Sequence, residues 1–352
     1  MEMIERLKEK INNLQQKKVI GLDIGEQSIK LSQVERTEGS IQINKLAILP
    51  TPPGILDEGK LIGVEKLANH LSTTLEENEF DGTKVVSAVS GENVITRTIE
   101  MPNMPKEELD DTVQWEAEEQ IRLSAEEASI DYEILDQNPD GSYKLLLVAV
   151  KEDLIEQYLN LFELLGLKAL GIETEPLALG RLSTNLHINK TFCIIDIGFQ
   201  TTDISVLNEG QLLFTRTINM GGKDITEDIA EDRHLSFAEA ENYKKNNNLF
   251  LGDQPAIIIR NLTTSIYRSL DYFQVEYEEY ELEKIFLTGG SSKLLGFSDY
   301  LEEQIGVEVE ALELGDHFYS NLDNINQDYL QQVFPQMLVS IGLALRWEKA
   351  ND

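Results

Sequence analysis

Two short stretches place an aspartate, a glycine and a hydroxyl residue at matching intervals. They are Asp23, Gly25 and Ser28 in Val19-Ile20-Gly21-Leu22-Asp23-Ile24-Gly25-Glu26-Gln27-Ser28, and Asp196, Gly198 and Thr201 in Cys193-Ile194-Ile195-Asp196-Ile197-Gly198-Phe199-Gln200-Thr201. Each residue stands 173 positions from its counterpart. A hairpin whose turn carries glycine and a hydroxyl can aim successive backbone N–H groups and one O–H at a phosphate. Glycine lets the backbone come close because no Cβ intervenes. An aspartate just ahead of the turn can hold the water shell of Mg²⁺, a hard cation that favours carboxylate oxygen and keeps several waters. One Asp-Ile-Gly turn carries little information, since any tight turn favours these residues. Two in register point to a duplicated fold whose facing loops grip a polyphosphate.

The elements that must hold these loops are legible around them. Each turn opens a three-strand unit: Ile29 to Val34 and Ile41 to Leu49 follow the first, and Thr202 to Leu207 and Gln211 to Ile218 follow the second. A third glycine-rich turn, Gly289-Gly290-Ser291-Ser292, leads from a strand at Glu283 to Thr288 toward a helix at Phe297 to Ile305. A strand-to-helix turn of this kind suits close approach of an adenosine or phosphate to the helix N-terminus. At the start of the chain, Ile4, Leu7, Ile11 and Leu14 repeat at helical spacing, which predicts an amphipathic helix over residues 1–17. Residues 1–18 carry a net charge of +2, so this helix either packs on the acidic body or serves as a membrane-surface or partner-binding arm.

Composition limits the function classes. The chain has 352 residues, more than one ordinary core needs, and 41% of them are apolar. Thirty Lys plus Arg stand against 63 Asp plus Glu, a net charge of -33. Such a surface repels phosphate backbones and anionic headgroups, which argues against nucleic-acid binding and direct membrane insertion. The acids are spread among periodic apolar segments rather than gathered into tails, so disorder does not fit. The one cysteine, Cys193, lies in an apolar run and reads as a reduced core thiol. His70, His187, His234 and His317 show no spacing that suggests a metal or a triad. The chain reads as a cytosolic, multi-lobed protein.

The three motifs together resemble the phosphate-1, phosphate-2 and adenosine motifs of the actin, Hsp70 and sugar-kinase superfamily. Glu175-Pro176-Leu177-Ala178 resembles its first connecting helix, Ser340-Ile341-Gly342-Leu343-Ala344-Leu345 its second, and Gly221-Gly222-Lys223-Asp224-Ile225-Thr226 the segment after the third strand of the second half. The fold class this implies is α/β, a duplicated actin-like (ribonuclease H-like) fold in two lobes. Within the superfamily, Arg97-Thr98-Ile99-Glu100-Met101-Pro102-Asn103-Met104-Pro105, Gln114-Trp115-Glu116-Ala117-Glu118-Glu119-Gln120-Ile121 and Ile130-Asp131-Tyr132-Glu133-Ile134-Leu135 resemble the PilM family of type IV pilus assembly. Arg122 departs from the proline usual there. PilM and the related FtsA carry a subdomain called 1C. The resemblance places 1C at 97–171, subdomain 1A at 18–96, 172–190 and 326–352, 2A at 191–230 and 283–325, and 2B at 231–282.

The resemblance implies ATP or ADP with Mg²⁺ as ligands. Asp23, Gly25, Gln27, Ser28, Lys30, Asp196, Gly198, Gln200, Thr201 and Thr202 would bind phosphates, and Asp23 and Asp196 would hold the metal through water. Lys30 is equally readable as a solvated strand residue. Gly222, Lys223, Glu241, Lys244, Gly289, Gly290, Ser291 and Ser292 would surround the adenosine. Glu175 matches a glutamate near the attacking water of Hsp70-like ATPases and is equally placed to cap the helix it opens. Phe199 and Gln200 stand where active relatives carry further glycines, and their side chains restrict backbone approach to the terminal phosphate, so turnover is expected to be slow or absent.

The implied partner is the cytosolic N-terminal tail of a PilN-like single-pass membrane protein, with Met101, Met104, Leu109 and Trp115 in the contact region. That would hold the protein at the inner face of the cytoplasmic membrane through a partner, with the pilus motor ATPase and self-association as further contacts. Two other readings share the fold. An FtsA-like division filament protein would need a C-terminal amphipathic helix, which Arg346 to Asp352 does not provide. A small-molecule kinase would need a substrate base beyond the two loop aspartates.

Overall fold

The computed structural model describes residues 18–37, 40–57, 59–90, 94–120, 128–184, 188, 190–250, 256–313, 315, 318–320 and 327–346. The helix expected over residues 1–17 lies outside these residues, as do Arg122, His187 and His317.

The first lobe begins with β1 (Val19–Ile24), β2 (Ser28–Thr37), β3 (Ser40–Pro50), the short hairpin β4 (Leu56–Asp57) and β5 (Lys60–Leu61), α1 (Val64–Glu77) and β6 (Lys84–Val89). An insertion follows, with β7 (Val94–Met101), α2 (Lys106–Gln120), β8 (Ala128–Gln137) and β9 (Tyr143–Lys151). The chain returns through α3 (Glu152–Leu164), β10 (Lys168–Thr174) and α4 (Glu175–Ser183). The second lobe comprises β11 (Thr191–Ile197), β12 (Thr202–Asn208), β13 (Gln211–Ile218), α5 (Gly222–Arg233), α6 (Phe237–Asn246), α7 (Ile257–Glu276), β14 (Lys284–Thr288), α8 (Phe297–Ile305) and β15 (Glu308–Ala311). Finally β16 (Phe318–Ser320) and α9 (Gln327–Ala344) come back to the first lobe.

The duplication read from the two hairpins extends to whole sheets. The second sheet runs β13-β12-β11-β14-β15, and the first runs β3-β2-β1-β6-β10 with β16 added beyond β3. In both, three antiparallel strands are followed by two parallel ones. Even the irregularity is shared: the register shifts at Gln33/Val34 in β2 and at Val206/Leu207 in β12, again 173 residues apart. β1 and β11 are central strands covered on both faces, so they read as continuous apolar runs and not as alternating ones. Only their C-terminal ends carry a carboxylate, at Asp23 and Asp196.

The sheets face each other across α4 and α9. One face of β1 and β11 contributes Val19, Phe192 and Ile194 to a central core with Leu179 and Leu182 of α4 and Phe334, Met337 and Leu338 of α9. The opposite faces bury Ile20 and Leu22 in the first lobe, and Cys193 and Ile195 in the second, in separate outer cores. Backbones touch where α9 crosses β1 and α4: a Cβ on Gly21 would overlap the Ser340 carbonyl, and one on Gly342 the Ala178 carbonyl. Beside that crossing, buried Glu173 accepts from Arg181 at 2.7 and 2.8 Å and from Arg346 at 2.9 Å, and Arg181 also donates to the Gly342 carbonyl at 2.8 Å. Pro335 stands inside α9 and has no N–H for the Gln331 carbonyl. Lys293 Nζ donates instead to the Gln331 and Gln332 carbonyls, at 3.3 and 2.9 Å.

Several boundaries differ from those expected. β7 pairs with β9 from Val94 onward, so the inserted sheet starts ahead of residue 97. β10 pairs with β6 in the first sheet from Lys168. α3 also packs with the first lobe, because its apolar stripe of Leu154, Tyr158, Leu161 and Phe162 meets Ile20, Leu22 and Val85 in the outer core. β16 pairs with β3, so that strand joins the first sheet. α2 covers one face of the inserted sheet, burying Leu109, Val113 and Ala117 against Ile99, Met101, Leu145 and Leu147.

Candidate phosphate-binding cleft

The C-terminal ends of β1 and β11 open onto one cavity of about 320 Å³, lined from both lobes. Open α/β sheets offer ligand crevices at this end of their parallel strands. Each loop is closed by the same hydrogen bond: Gly25 N–H donates to the Ser28 carbonyl at 3.2 Å and Gly198 N–H to the Thr201 carbonyl at 2.9 Å. Each is also tied to the segment after the third strand of its unit. Thr51 N–H donates to the Gln27 carbonyl at 3.1 Å, and the Thr51 hydroxyl to the Gly25 carbonyl. In the second lobe, Gly222 and Lys223 N–H donate to the carbonyls of Gly198 and Phe199 at 2.9 and 2.8 Å. Phe199 packs edge-on against Phe237 of α6, ring centroids 6.3 Å apart, so the residue after Gly198 pins the loop to a helix.

Thirteen of the residues singled out in the sequence line this cavity: Asp23, Gly25, Gln27, Ser28, Lys30, Glu175, Asp196, Gly198, Gln200, Thr201, Lys223, Gly289 and Gly290. Gly290 is notable because nothing lies within 4 Å of where its Cβ would be. Packing within the protein does not require glycine there, at a residue that lines the cleft. Gly289 has φ +86°, and a Cβ there would press on Asp196 and the Ile197 carbonyl.

The other predicted residues stand behind the wall. Thr202 is buried and donates to the Met220 carbonyl at 2.8 Å. Lys244, only 4% exposed, pairs with Glu241 at 2.6 Å and donates to the Gly222 carbonyl and the Thr226 hydroxyl at 2.9 and 2.8 Å. That network fastens α6 to the first turn of α5. Ser291 lies beside Gly222, and Ser292 donates to the Gly289 carbonyl at 2.9 Å, shaping the third turn.

The charges in the cleft are uneven. Lys30 meets Asp23 at 3.1 Å. Burial alone would lower its pKa, but Asp23, with Glu175 and Asp196 beyond, holds it above the ordinary lysine range. The second loop has no such cation. Asp196 faces Asp203 across the β11–β12 pair, and its pKa is pushed up to about 7, first by burial and then by the Asp203 charge. Asp203 is raised by burial, against hydrogen bonds from Thr217 and Thr201. Half-buried Glu175 is held well above the carboxylate range by burial and by Asp203, Asp23 and Asp196.

Sequence reasoning missed Asp203, Tyr158, Asn219 and Asp224, which also line the cavity. Asp203 had a signal, being 173 residues from Lys30. Asp224 accepts from Gly221 N–H at 2.8 Å at the start of α5. Tyr158 sits on an apolar helix face with nothing to mark it, yet burial and the charges of Asp23 and Glu175 raise its phenol.

Among the described residues, no three His, Cys, Asp or Glu side chains converge tightly enough to hold a bare metal ion. The donor set of Asp23, Asp196 and Asp203 fits a hard divalent cation that keeps its waters. In the expected partner region, Met101 and Leu109 are core residues and Met104 packs half-buried on that core, because the inward positions of β7 and α2 fall on them. Trp115 is 59% exposed on the outer face of α2.

A sequence model of the family described as type IV pilus assembly protein PilM matches residues 21–348. The solved structure of a PilM-PilN type IV pilus biogenesis complex superposes with a TM-score of 0.83 and 28% identity, covering 94% of this chain and 98% of that one. MreB 5 of Spiroplasma citri, solved bound to AMPPNP, superposes with a TM-score of 0.51 at 12% identity over 92% of this chain and 94% of its own, a likeness of fold alone. Cell division protein FtsA of Bacillus subtilis (strain 168) is 25% identical over 254 residues, 64% of this chain and 57% of the relative. FtsA of Staphylococcus epidermidis (strain RP62A) is 24% identical over 188 residues, 46% of this chain and 40% of the relative. The chain thus spans about half the length of the curated relatives it matches.

Proposed function

The chain belongs to the type IV pilus assembly protein PilM family, and from that premise we propose that it is an actin-like scaffold of pilus assembly whose cleft binds Mg-ATP or ADP as a regulatory ligand. One observation carries the nucleotide reading: two hairpins, equivalent by a 173-residue repeat, present matching glycine turns and aspartates to a single cavity beside the unfilled position of Gly290. Glycine turns and hydroxyls at Ser28 and Thr201 suit phosphate oxygens, and Lys30 supplies a cation beside the first loop. When bound, Mg²⁺ would offset phosphate charge, with Asp23, Asp196 and Asp203 holding its water shell. Burial and the neighbouring carboxylates push Glu175 toward its protonated form, which weakens it as a general base, and Phe199 packs the second loop against α6. Both features support slow or absent hydrolysis.

Binding of a fluorescent ATP analogue with Mg²⁺ tests the reading. G290V should keep the fold, because no protein atom stands where its Cβ would be, and lose the analogue. Equal affinity in the variant would sink the nucleotide site as drawn.

The partner we propose is the cytosolic tail of a PilN-like inner-membrane protein, supported by the likeness to a structure described as a PilM-PilN complex. Among the described residues no helix is long and apolar enough to cross a membrane. The protein would reach the cytoplasmic membrane through that tail, captured as an extended peptide with apolar anchors.

A further inference from the structure

The inserted sheet presents two different faces. Toward α2 it buries Ile99, Met101, Leu145 and Leu147. On the other face Leu135 and Leu146 enter the central core, and further along this face the register aligns Glu100, Lys144 and Asp136 in one row across β7, β9 and β8. This row meets the second lobe. Lys144 Nζ lies 3.4 Å from the ring centroid of Tyr277, the residue that ends α7. Tyr277 also shares a hydrogen bond with Thr98 of β7.

Tyr277 is itself held firmly. It stacks on Phe273 at 4.9 Å and meets Phe214 of β13 edge-on at 6.4 Å. The charges of Glu100 and Asp136 from the insertion, and of Glu276 and Glu279 from the second lobe, surround the Lys144 ammonium. A partly desolvated ammonium over an aromatic face is worth more than the same pair in open water. Beyond Phe214, β13 runs to Ile218, and the next residue, Asn219, lines the cleft. One strand thus links this contact to the cleft.

We propose that Lys144 and Tyr277 form a latch that closes the insertion onto the second lobe. The chain crosses between lobes after α4 and again ahead of β16, and the latch adds a non-covalent tie at the far end of the insertion, outside the central core. It closes a ring from first lobe to insertion to second lobe at the N-terminal end of β9, beside the apolar packing of Leu135 and Leu146, so opening the cleft strains the latch. A partner that reshapes the insertion changes how tightly the cleft holds its contents. This last consequence rests on the nucleotide reading above, whereas the latch itself does not.

The test uses the full chain with spin labels at E65C on α1 and A238C on α6, both exposed positions. Cys193 is buried and stays unlabelled. The inter-lobe distance distribution is measured without nucleotide. K144M, which keeps the side-chain length and removes the cation, should broaden and lengthen it, and K144R should keep it narrow. An unchanged distribution in K144M, or equal broadening in K144R, overturns the latch. A fluorescent Mg-ATP analogue should then leave K144M about tenfold faster than wild type, and an unchanged rate overturns the coupling. Absence of analogue binding to the wild type would end the nucleotide reading and leave the distance result standing.

Discussion

Lys30 and Asp203 occupy the same place in the two halves. Each lies directly across its hairpin from the loop aspartate, Lys30 from Asp23 and Asp203 from Asp196. The repeat keeps the backbone and reverses the charge. The first loop is therefore an ion pair and the second a pair of carboxylates, which makes the second-lobe side of the cleft the one that seeks a cation.

That asymmetry gives a pH dependence. Folding raises Asp196 from 3.8 to about 7, chiefly through burial and then Asp203. The folded protein thus holds this proton more tightly than the unfolded chain does. Stability is greatest below about 4 for this group and falls as pH rises toward 7. In metal-free buffer the urea midpoint should drop between pH 5 and pH 7.5, and D203N should flatten the drop. A steeper drop in D203N would reverse the assignment.

The Glu173 clamp predicts a different cost. R181M leaves a buried carboxylate with Arg346 alone, and unfolding free energy should fall by about 2 to 3 kcal/mol. The double variant R181M/E173L should recover most of that loss, since no buried charge is left unpaired. Urea titration of the three proteins decides it.

Gly342 is needed for contact, not for conformation. G342A puts a methyl into the Ala178 carbonyl, so the crossing of α4 and α9 must widen. Overpacking of this kind costs about 1 to 3 kcal/mol. The thermal midpoint should fall, and G166A, at a surface turn with open space around it, should lower it through the φ of +66° alone, at a cost of about 1 to 2 kcal/mol.

The partner segment separates into anchor and core. W115A should leave stability within about 0.5 kcal/mol and weaken capture of the PilN-like tail peptide. L109A should lose about 2 to 5 kcal/mol through the cavity it leaves. If W115A binds the peptide as well as wild type, the outer face of α2 is not part of the contact.

The sequence carried the local part of this account. The hairpins, the glycine turn at 289–292 and the helix at Phe297–Ile305 are short-range patterns that hold eleven of the thirteen cleft residues; Glu175, Lys223 and the fold class came through the family resemblance that those patterns carry. What it did not carry depends on faces meeting across long separations. Met101 and Leu109 fell within the expected contact region because the chain does not say which face of β7 meets α2. α3 read as part of the insertion because only the sheet shows where its apolar stripe lands. Lys144 and Tyr277 are 133 positions apart in different lobes, and neither has a local pattern that points to the other. The pairing of Lys30 with Asp203 was available in the repeat, but a change from cation to anion hides an equivalence that spacing alone would reveal.

Pro335 has a mechanical consequence. A helix with one rung missing is most compliant at the gap. The substitute donor is the Lys293 ammonium at the end of a flexible stem, so the gap stretches more easily than an intact turn. The Pro335 carbonyl is meanwhile fixed, accepting from Gly289 N–H at 3.0 Å and from the Thr288 hydroxyl. The missing rung of α9 and its tie to the second lobe thus fall in the same turn, residues 331–335. A local bend there would change the distance between the glycine-rich turn and β1, on which the rest of α9 is seated, without disturbing either contact.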